Sequence, residues 1–189
     1  MRQEFVIAGF GGQGVLSIGL FLANAGLVLE RKVVYVPSYG AEMRGGTCHC
    51  MITIADKEIS SPVLSNSDTA VVMNLPSLDK FEPTVRPGGK LFINQSLIHR
   101  EARRKDISPY YIPTAELAQE AGVPGGANMV MLGALLEVTG LVPEHMIYDI
   151  LVKSFKGRYL DKMPRNMTAI NKGREFARGF KSLDVACNQ

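Results

Sequence analysis

Between Glu4 and Glu30 the chain carries no charged residue, a run of 25 positions. Such a run has few destinations: a membrane span, the apolar stretch of an export signal, or a protein core. The first two need a continuous helix. Six glycines interrupt this run, four of them within Gly9–Gly14, and Gln13, Ser17 and Asn24 add polar groups. Ala23-Asn24-Ala25 imitates a signal-cleavage site, but the positive flank is weak because Glu4 offsets Arg2. What remains is a buried strand over Phe5–Ala8, a glycine turn over Gly9–Gly14 and a buried helix over Val15–Glu30. A protein of the cytoplasm with no membrane span is expected.

The rest of the chain alternates in the same way. Val33–Val36 reads as a second strand, and the β-α-β sequence predicts parallel strands joined by a right-handed crossover. Ser38–Gly46 reads as a polar loop and Thr47–Ile54 as a strand. Asp56-Lys57 reads as a hairpin turn into a short strand over Glu58–Ser60, which makes the sheet mixed. Ala70–Met73 and Lys90–Ile93 are apolar strands, separated by a helix opening at Asn74-Leu75-Pro76 and a turn at Pro87-Gly88-Gly89. A further strand lies within Asp106–Ile112. Helices are expected over Ala115–Ala121, capped by Thr114, over Ala127–Thr139, from Pro143 to Phe155, and, basic and amphipathic, over Met167–Phe180. A length of 189 residues suits about one domain at roughly 150 residues each. The expectation is a single α/β domain over residues 1–189, a three-layer α/β/α sandwich with a mostly parallel, mixed sheet.

The net charge of +3 is too small to imply nucleic acid. It is unevenly placed: residues 153–181 hold nine Lys/Arg against two Asp/Glu. That basic segment either faces an anionic ligand or acidic partner, or is one solvated helix face. Three cysteines make no disulfide framework. Cys48-His49-Cys50 lacks a second ligand pair at zinc-like spacing and is far from an iron–sulfur pattern, so no metal is expected. In a strand, Cys48 and Cys50 share one buried face and His49 takes the other.

Gly9, Gly11 and Gly14 satisfy G-x-G-x-x-G between a strand and a helix. Glycines permit a tight turn and close approach of a phosphate, and the helix N-terminus offers unpaired N–H groups. A dinucleotide site also wants an acidic residue about 20 positions on, at the end of the second strand. That strand ends Tyr35-Val36-Pro37-Ser38, so an NAD(P) or FAD site is weakly supported. The turn holds part of a nucleotide, or another anion, or serves only to join strand to helix. The loop Ser38-Tyr39-Gly40-Ala41-Glu42-Met43-Arg44-Gly45-Gly46 should sit beside it at the carboxyl ends of the strands. Arg44 suits a phosphate or carboxylate, with Glu42 orienting it or pairing with another subunit, and the alternative is an internal Glu42–Arg44 pair. His49, His99 and His145 lie in separate settings. No nucleophile, base and orienting group can be assembled.

Taken together, Gly9–Gly14 and Ser38–Gly46 resemble the gamma subunit of 2-oxoacid:ferredoxin oxidoreductases. Further matches are Asn74-Leu75-Pro76-Ser77-Leu78-Asp79-Lys80-Phe81, Val85-Arg86-Pro87-Gly88-Gly89 and Asn128-Met129-Val130, so the resemblance covers residue 4 to about residue 140. Glu42-Met43-Arg44 with Asn74-Leu75-Pro76-Ser77 looks more like the 2-oxoglutarate branch than the pyruvate branch. The resemblance implies oxidative decarboxylation of a 2-oxoacid with coenzyme A, giving acyl-CoA and carbon dioxide, with electrons passing to ferredoxin. It implies partner alpha and beta subunits, and a delta or ferredoxin-like one, that hold thiamine diphosphate, magnesium and 4Fe–4S clusters, with no cofactor bound by this chain alone. The resemblance also implies that the gamma chain closes over the active site and contributes to coenzyme A binding. Gly9, Gly11, Gly12, Gln13 and Gly14 are carried over as the backbone cradle. Ser38, Tyr39, Glu42, Arg44, Gly45 and Gly46 orient the ligand or touch other subunits. Asn128 reaches the same cleft or is a helix cap. Two readings stand beside this one: a free-standing NAD(P)- or FAD-dependent oxidoreductase, and a purely scaffolding subunit.

Overall fold

The computed structural model describes residues 1–40, 45–155 and 160–186. The backbone groups into two compact units, residues 1–111 and 112–189.

The first unit is built on a six-stranded sheet. Strand β1 (Arg2–Phe10) is followed by helix α1 (Val15–Val28), β2 (Lys32–Tyr39), β3 (Thr47–Ala55), β4 (Ser67–Val72) and α2 (Leu75–Phe81), then by a single 3-10 turn, β5 (Val85–Asn94) and β6 (Ser108–Ile112). The strand order is β2-β3-β1-β4-β5-β6. β1 runs parallel to β4, with Phe5 opposite Thr69, and β4 runs parallel to β5. β3 is antiparallel to both of its neighbours, with Ala55 opposite Arg2 on one side and Lys32 on the other.

That position of β3 corrects two expectations. β1 and β2 point the same way but are not neighbours, because β3 lies between them. The sheet is mixed as expected: β1, β2, β4 and β5 point one way and β3 runs against them. The strand expected over Glu58–Ser60 does not form. Both edges of β3 are already paired, which leaves a strand folding back at Asp56-Lys57 nothing to join. Asp56 instead takes the amino terminus and Arg31 as ion-pair partners. The glycines at 88 and 89 form a bulge inside β5 rather than a turn before it. Ser67 pairs with Val85 and Thr69 with Lys90, so five steps along β5 match two along β4. Gly88 sits at φ 76, and its N–H donates to the Asp106 carbonyl at 2.7 Å.

The period of two along β3 sorts the helices onto opposite faces. Cys50 and Ile54 meet α1, where Gly19 lies directly against the Cys50 sulfur and Gly26 against Val33 and Ile54. These two glycines are seven positions, or two turns, apart. They let the uncharged helix lie close on the sheet. His49 and Met51 point the other way. The His49 ring packs 5.2 Å from Phe81 of α2, and Met51 joins a core of Val6, Ala8, Val72, Leu78 and Ile93. The first unit is therefore a helix, a sheet and a helix in three layers. The expected burial of Cys48 and Cys50 on one face holds.

The second unit is helical: α3 (Thr114–Glu120), α4 (Ala127–Thr139), α5 (Ile147–Phe155) and α6 (Met163–Ala186), with 3-10 turns at Glu144–Met146 and Leu160–Lys162. α4 is buried along Met129–Leu136 and ends on Gly140 in the left-handed region. It crosses α6 at backbone contact, with Gly133 against the Ile170 carbonyl and Gly173 against the Val130 carbonyl. Thr114 opens α3 but does not cap it. Pro113 holds that position, with no side-chain cap. α6 begins four residues before the expected Met167, because Pro164 fits the first turn of a helix.

Within this unit part of the basic segment is taken up by internal ion pairs. Arg174 is buried and donates to Glu137 at 3.1 Å and to Glu144 at 2.8 Å. Lys172 pairs with Glu120 at 3.0 Å, and Arg178 lies 3.9 Å from Glu137. Its hydrogen bond to Glu144, and the charge of that group, hold the Arg174 guanidinium pKa above its usual value. The same pairing pulls the Glu144 carboxyl below the usual range. Lys156 and Arg158 lie outside the described residues.

Candidate functional site

The turn after β1 is held by one side chain. Gln13 Oε1 accepts from the Phe10 N–H at 2.7 Å and from Asn74 Nδ2 at 3.2 Å, and Gln13 Nε2 donates to the Met73 carbonyl at 3.3 Å. Asn94 Nδ2 donates to the same carbonyl at 3.2 Å. Asn74 in turn caps α2, accepting the Ser77 N–H at 2.9 Å. Three amides thus tie together the carboxyl ends of β1, β4 and β5. β1 leads to a helix on one face and β4 to a helix on the other, so this is the switch point where open α/β sheets take ligands. Here it is filled. Gly9 shows how tightly: a Cβ there would come 2.7 Å from Gln13 Oε1 and 2.9 Å from the Met73 Cβ.

The open space lies to one side, between the turn and the β2–β3 hairpin. A cleft of 710 Å³ is lined by Phe10, Gly11, Gly12, Gly14, Val15, Leu16, Ser17, Tyr39 and Cys48. Ligand sites commonly span about 300–1,000 Å³. The hairpin is sewn to the turn: the Gly11 N–H donates to the Gly46 carbonyl at 2.9 Å, and the Gly45 N–H to the Gly11 carbonyl at 3.3 Å. The turn and the end of the polar loop therefore sit side by side, as expected. Gly12 at φ 98 and Gly14 at φ 74 adopt conformations that favour glycine. Gly14 is the cap of α1, with no side-chain cap bond. The Val15 and Leu16 N–H groups at the start of the helix have no partner within it, and the helix dipole adds partial positive charge there.

These contacts redistribute the expected roles. Gly11 and Gln13 do not offer free backbone donors, since the Gly11 N–H bonds Gly46 and the Gln13 N–H bonds the Phe10 carbonyl at 3.1 Å. The cradle narrows to Gly12, Gly14, Val15 and Leu16. Gly9 packs the core side of the turn and is not in the lining. Ser38 and Tyr39 belong to β2, not to a loop, and Tyr39 is 69% exposed at the mouth of the cleft. Glu42 and Arg44 lie outside the described residues. Asn128 is the second residue of α4 in the helical unit, and Gly126 holds that helix's cap position, so Asn128 is not the cap. Sequence reasoning passed over Leu16, Ser17 and Cys48. The strand–turn–helix pattern marked their neighbourhood, but only the fold of β3 across α1 places Cys48 there.

The described lining of the cleft holds no His, Asp, Glu, Lys or Arg. Burial raises the Cys48 thiol pKa. Behind it, burial first and then the Cys48 charge push the Cys50 thiol up to about 12. The Tyr35 hydroxyl is raised further still, mainly by burial. Burial, with the Lys80 charge second, lowers the His49 imidazole, but His49 is on the opposite face of the sheet. Among the described residues no three His, Cys, Asp or Glu side chains gather as a metal site, and no helix is long and apolar enough to cross a membrane. The arrangement is suited to binding an anion next to an apolar surface.

The sequence profile of the pyruvate ferredoxin/flavodoxin oxidoreductase family matches residues 4–176. The chain belongs to that family. It is 37% identical over 175 residues to the ketoisovalerate oxidoreductase subunit VorA of Methanothermobacter marburgensis, covering 91% of this chain and 36% of that one. It thus spans about a third of the length of that relative. It is 32% identical over 186 residues to the 2-oxoglutarate synthase subunit KorC of Methanocaldococcus jannaschii, covering 94% and 95%. The fold is that of the keto/oxoacid ferredoxin oxidoreductase gamma subunit of Geobacter sulfurreducens, with a TM-score of 0.78 at 23% identity over 94% of this chain and 99% of that one. It also matches part of the 2-oxoglutarate:ferredoxin oxidoreductase of Magnetococcus marinus, solved with 2-oxoglutarate, coenzyme A and succinyl-CoA bound. That match has a TM-score of 0.83 at 22% identity, over 94% of this chain and 31% of that one.

Proposed function

We propose that this chain is the gamma subunit of a multi-subunit 2-oxoacid:ferredoxin oxidoreductase, and that its cleft receives a phosphate-bearing part of coenzyme A. The enzyme converts a 2-oxoacid and coenzyme A to acyl-CoA and carbon dioxide and passes two electrons to ferredoxin. The observation that carries the reading is the cleft itself. Two left-handed glycines open the start of α1, and Gln13 holds the turn rigid, so the backbone donors stay directed at one place. Preorganised donors at a helix N-terminus favour phosphate. In this reading thiamine diphosphate, magnesium and 4Fe–4S clusters reside in the alpha, beta and ferredoxin-like partners, and the assembly works in the cytoplasm.

The substrate proposed is 2-oxoglutarate, supported by the KorC relative that this chain matches along 95% of its length. A branched-chain 2-oxoacid is the second reading, favoured by the higher identity to VorA. The dinucleotide reading loses its geometry. A Rossmann site reads the ribose from a second strand beside the first, whereas here β3 occupies that place and Gln13 fills the switch point. The test is to recover the tagged chain from its native cell and assay the recovered complex. A thiamine-diphosphate subunit should accompany it, and a viologen dye should be reduced only when 2-oxoglutarate and coenzyme A are both supplied. Tight binding of NAD(P) or FAD by the chain alone, without such partners, would overturn the assignment.

A further inference from the structure

We infer that the outer face of α1 and the open edge of β2 form one docking surface, occupied by the subunit that corresponds to the rest of the VorA polypeptide. The inference rests on the subunit reading above and adds the place where the partner sits.

The first observation is an apolar stretch on an open sheet edge. β2 ends the strand order and pairs only with β3. Edge strands are normally protected by charge, proline, a bulge or a covering element. Here Lys32, paired with Glu58, opens the strand, and Pro37 is its sixth residue. Between them run Val33, Val34, Tyr35 and Val36, all partly exposed and with no charge among them. The register to β3 is unbroken from Lys32 to Tyr39, so no bulge turns the edge aside.

The second observation is the helix beside that edge. Gly19 of α1 faces Tyr35 and Gly26 faces Val33, so α1 lies along β2. The next residue after each glycine is a leucine turned to solvent. Leu20 is 37% exposed and Leu27 is 61% exposed. Two turns apart, they share a face. No charged residue occurs anywhere on α1. Scattered surface leucines need no explanation, but an uncharged helix beside an open apolar stretch of sheet edge marks an interaction site.

The third observation names the occupant. The same region makes up 95% of the KorC relative but only 36% of VorA and 31% of the Magnetococcus chain. What is tethered in two relatives stands as a separate subunit in the third. Where the region is a separate subunit, as in KorC, association comes from contact, and stable interfaces bury about 800 Å² on each partner. An uncharged face selects an uncharged partner face. The open edge adds main-chain pairing with an extended segment.

The experiment uses the complex recovered on a tag carried by this chain. Leu27→Glu and Leu20→Lys, singly and together, are compared with Val63→Glu, which alters an equally exposed apolar residue (64%) in the irregular segment before β4. Partner retention is read by mass spectrometry, and the dissociation constant by dilution. The α1 variants should weaken association more than tenfold, with the melting temperature of the chain unchanged, and Val63→Glu should leave it as it was. A double α1 variant that retains its partner at wild-type affinity overturns the proposal. So does a homodimer of the chain that Leu27→Glu dissolves, since the face would then belong to a second copy. A wild-type chain that recovers no thiamine-diphosphate subunit refutes the subunit reading itself, before any substitution is made.

Discussion

Ser17 offers a substitution that separates folding from ligand binding. It is the third residue of α1 after the Gly14 cap, its N–H donates to the Gly14 carbonyl at 3.1 Å, and it lines the cleft. Glutamate is favoured at that position, where its carboxylate meets the orphan N–H groups and the positive end of the dipole, adding about 0.3–1 kcal/mol. Ser17→Glu should therefore leave the chain as stable as before, or slightly more so. The same carboxylate would occupy the place proposed for phosphate. Two unit charges roughly 6 Å apart at an effective dielectric of about 40 repel by about 1.4 kcal/mol. That is about tenfold in affinity for each phosphate charge in range. The assay is steady-state kinetics of the assembled enzyme with a viologen acceptor, varying coenzyme A and the 2-oxoacid in turn. The KM for coenzyme A should rise at least tenfold, and the KM for the 2-oxoacid should stay within about twofold. The effect should shrink with added salt, because the screening length is about 8 Å at physiological ionic strength. Ser17→Gln, similar in size and uncharged, is the control. If the glutamate and glutamine variants share one coenzyme A KM, the start of α1 does not meet a phosphate and the argument from the glycine turn fails.

Three further outcomes are expected. Gln13→Ala removes the acceptor of the Phe10 N–H and the ties to Met73 and Asn74, which should cost about 1–3 kcal/mol. At about 2–4 °C per kcal/mol for a chain of this length, thermal unfolding should drop by several degrees, with the coenzyme A KM rising alongside. Gly133→Ala would drive a Cβ into the Ile170 carbonyl, and backbone against backbone cannot relax by a rotamer change. It should destabilise the chain by about 3 kcal/mol, read by the same melt. Cys50 should resist thiol reagents at pH 8 until the chain unfolds, tested in a Cys187→Ser background. Because its folded pKa of about 12 lies above the ordinary 9.0, the unfolded chain loses that proton first. Stability from this group is full below pH 9 and is lost as pH rises toward 12.

Local signals were readable wherever the pattern was self-contained. The uncharged run resolves into β1, the turn and α1, because four clustered glycines exclude one long helix. α4 runs over the expected Ala127–Thr139, since Gly126 and Gly140 bracket an uninterrupted apolar stretch. Strand order was not readable. Nothing local in Thr47–Ile54 says that it will enter between β1 and β2, because that depends on which edges are free once the other strands have paired. The missing strand at Glu58–Ser60 follows from the same blind spot. The internal pairing of the basic segment was hidden for a related reason. A count along the chain shows nine cations, but Glu137, Glu144 and Glu120, which receive Arg174 and Lys172, are more than 25 positions away in sequence.

The glycine motif illustrates how a signature can be right about geometry and silent about ligand. G-x-G-x-x-G states that a strand must turn sharply into a helix with little room for side chains, and the crowding at Gly9 and the left-handed Gly12 and Gly14 satisfy that demand. In a dinucleotide fold the same turn faces an open switch point. Here the residue at position 13 is a glutamine whose amide closes that point, and Asn74 and Asn94 complete the closure. The open space is displaced toward the β2–β3 hairpin, next to Tyr39 and Cys48. One side chain within the motif thus redirects where the helix N-terminus can be approached. Gln13 is in this sense the residue that converts a nucleotide-fold turn into a cleft facing a neighbouring element.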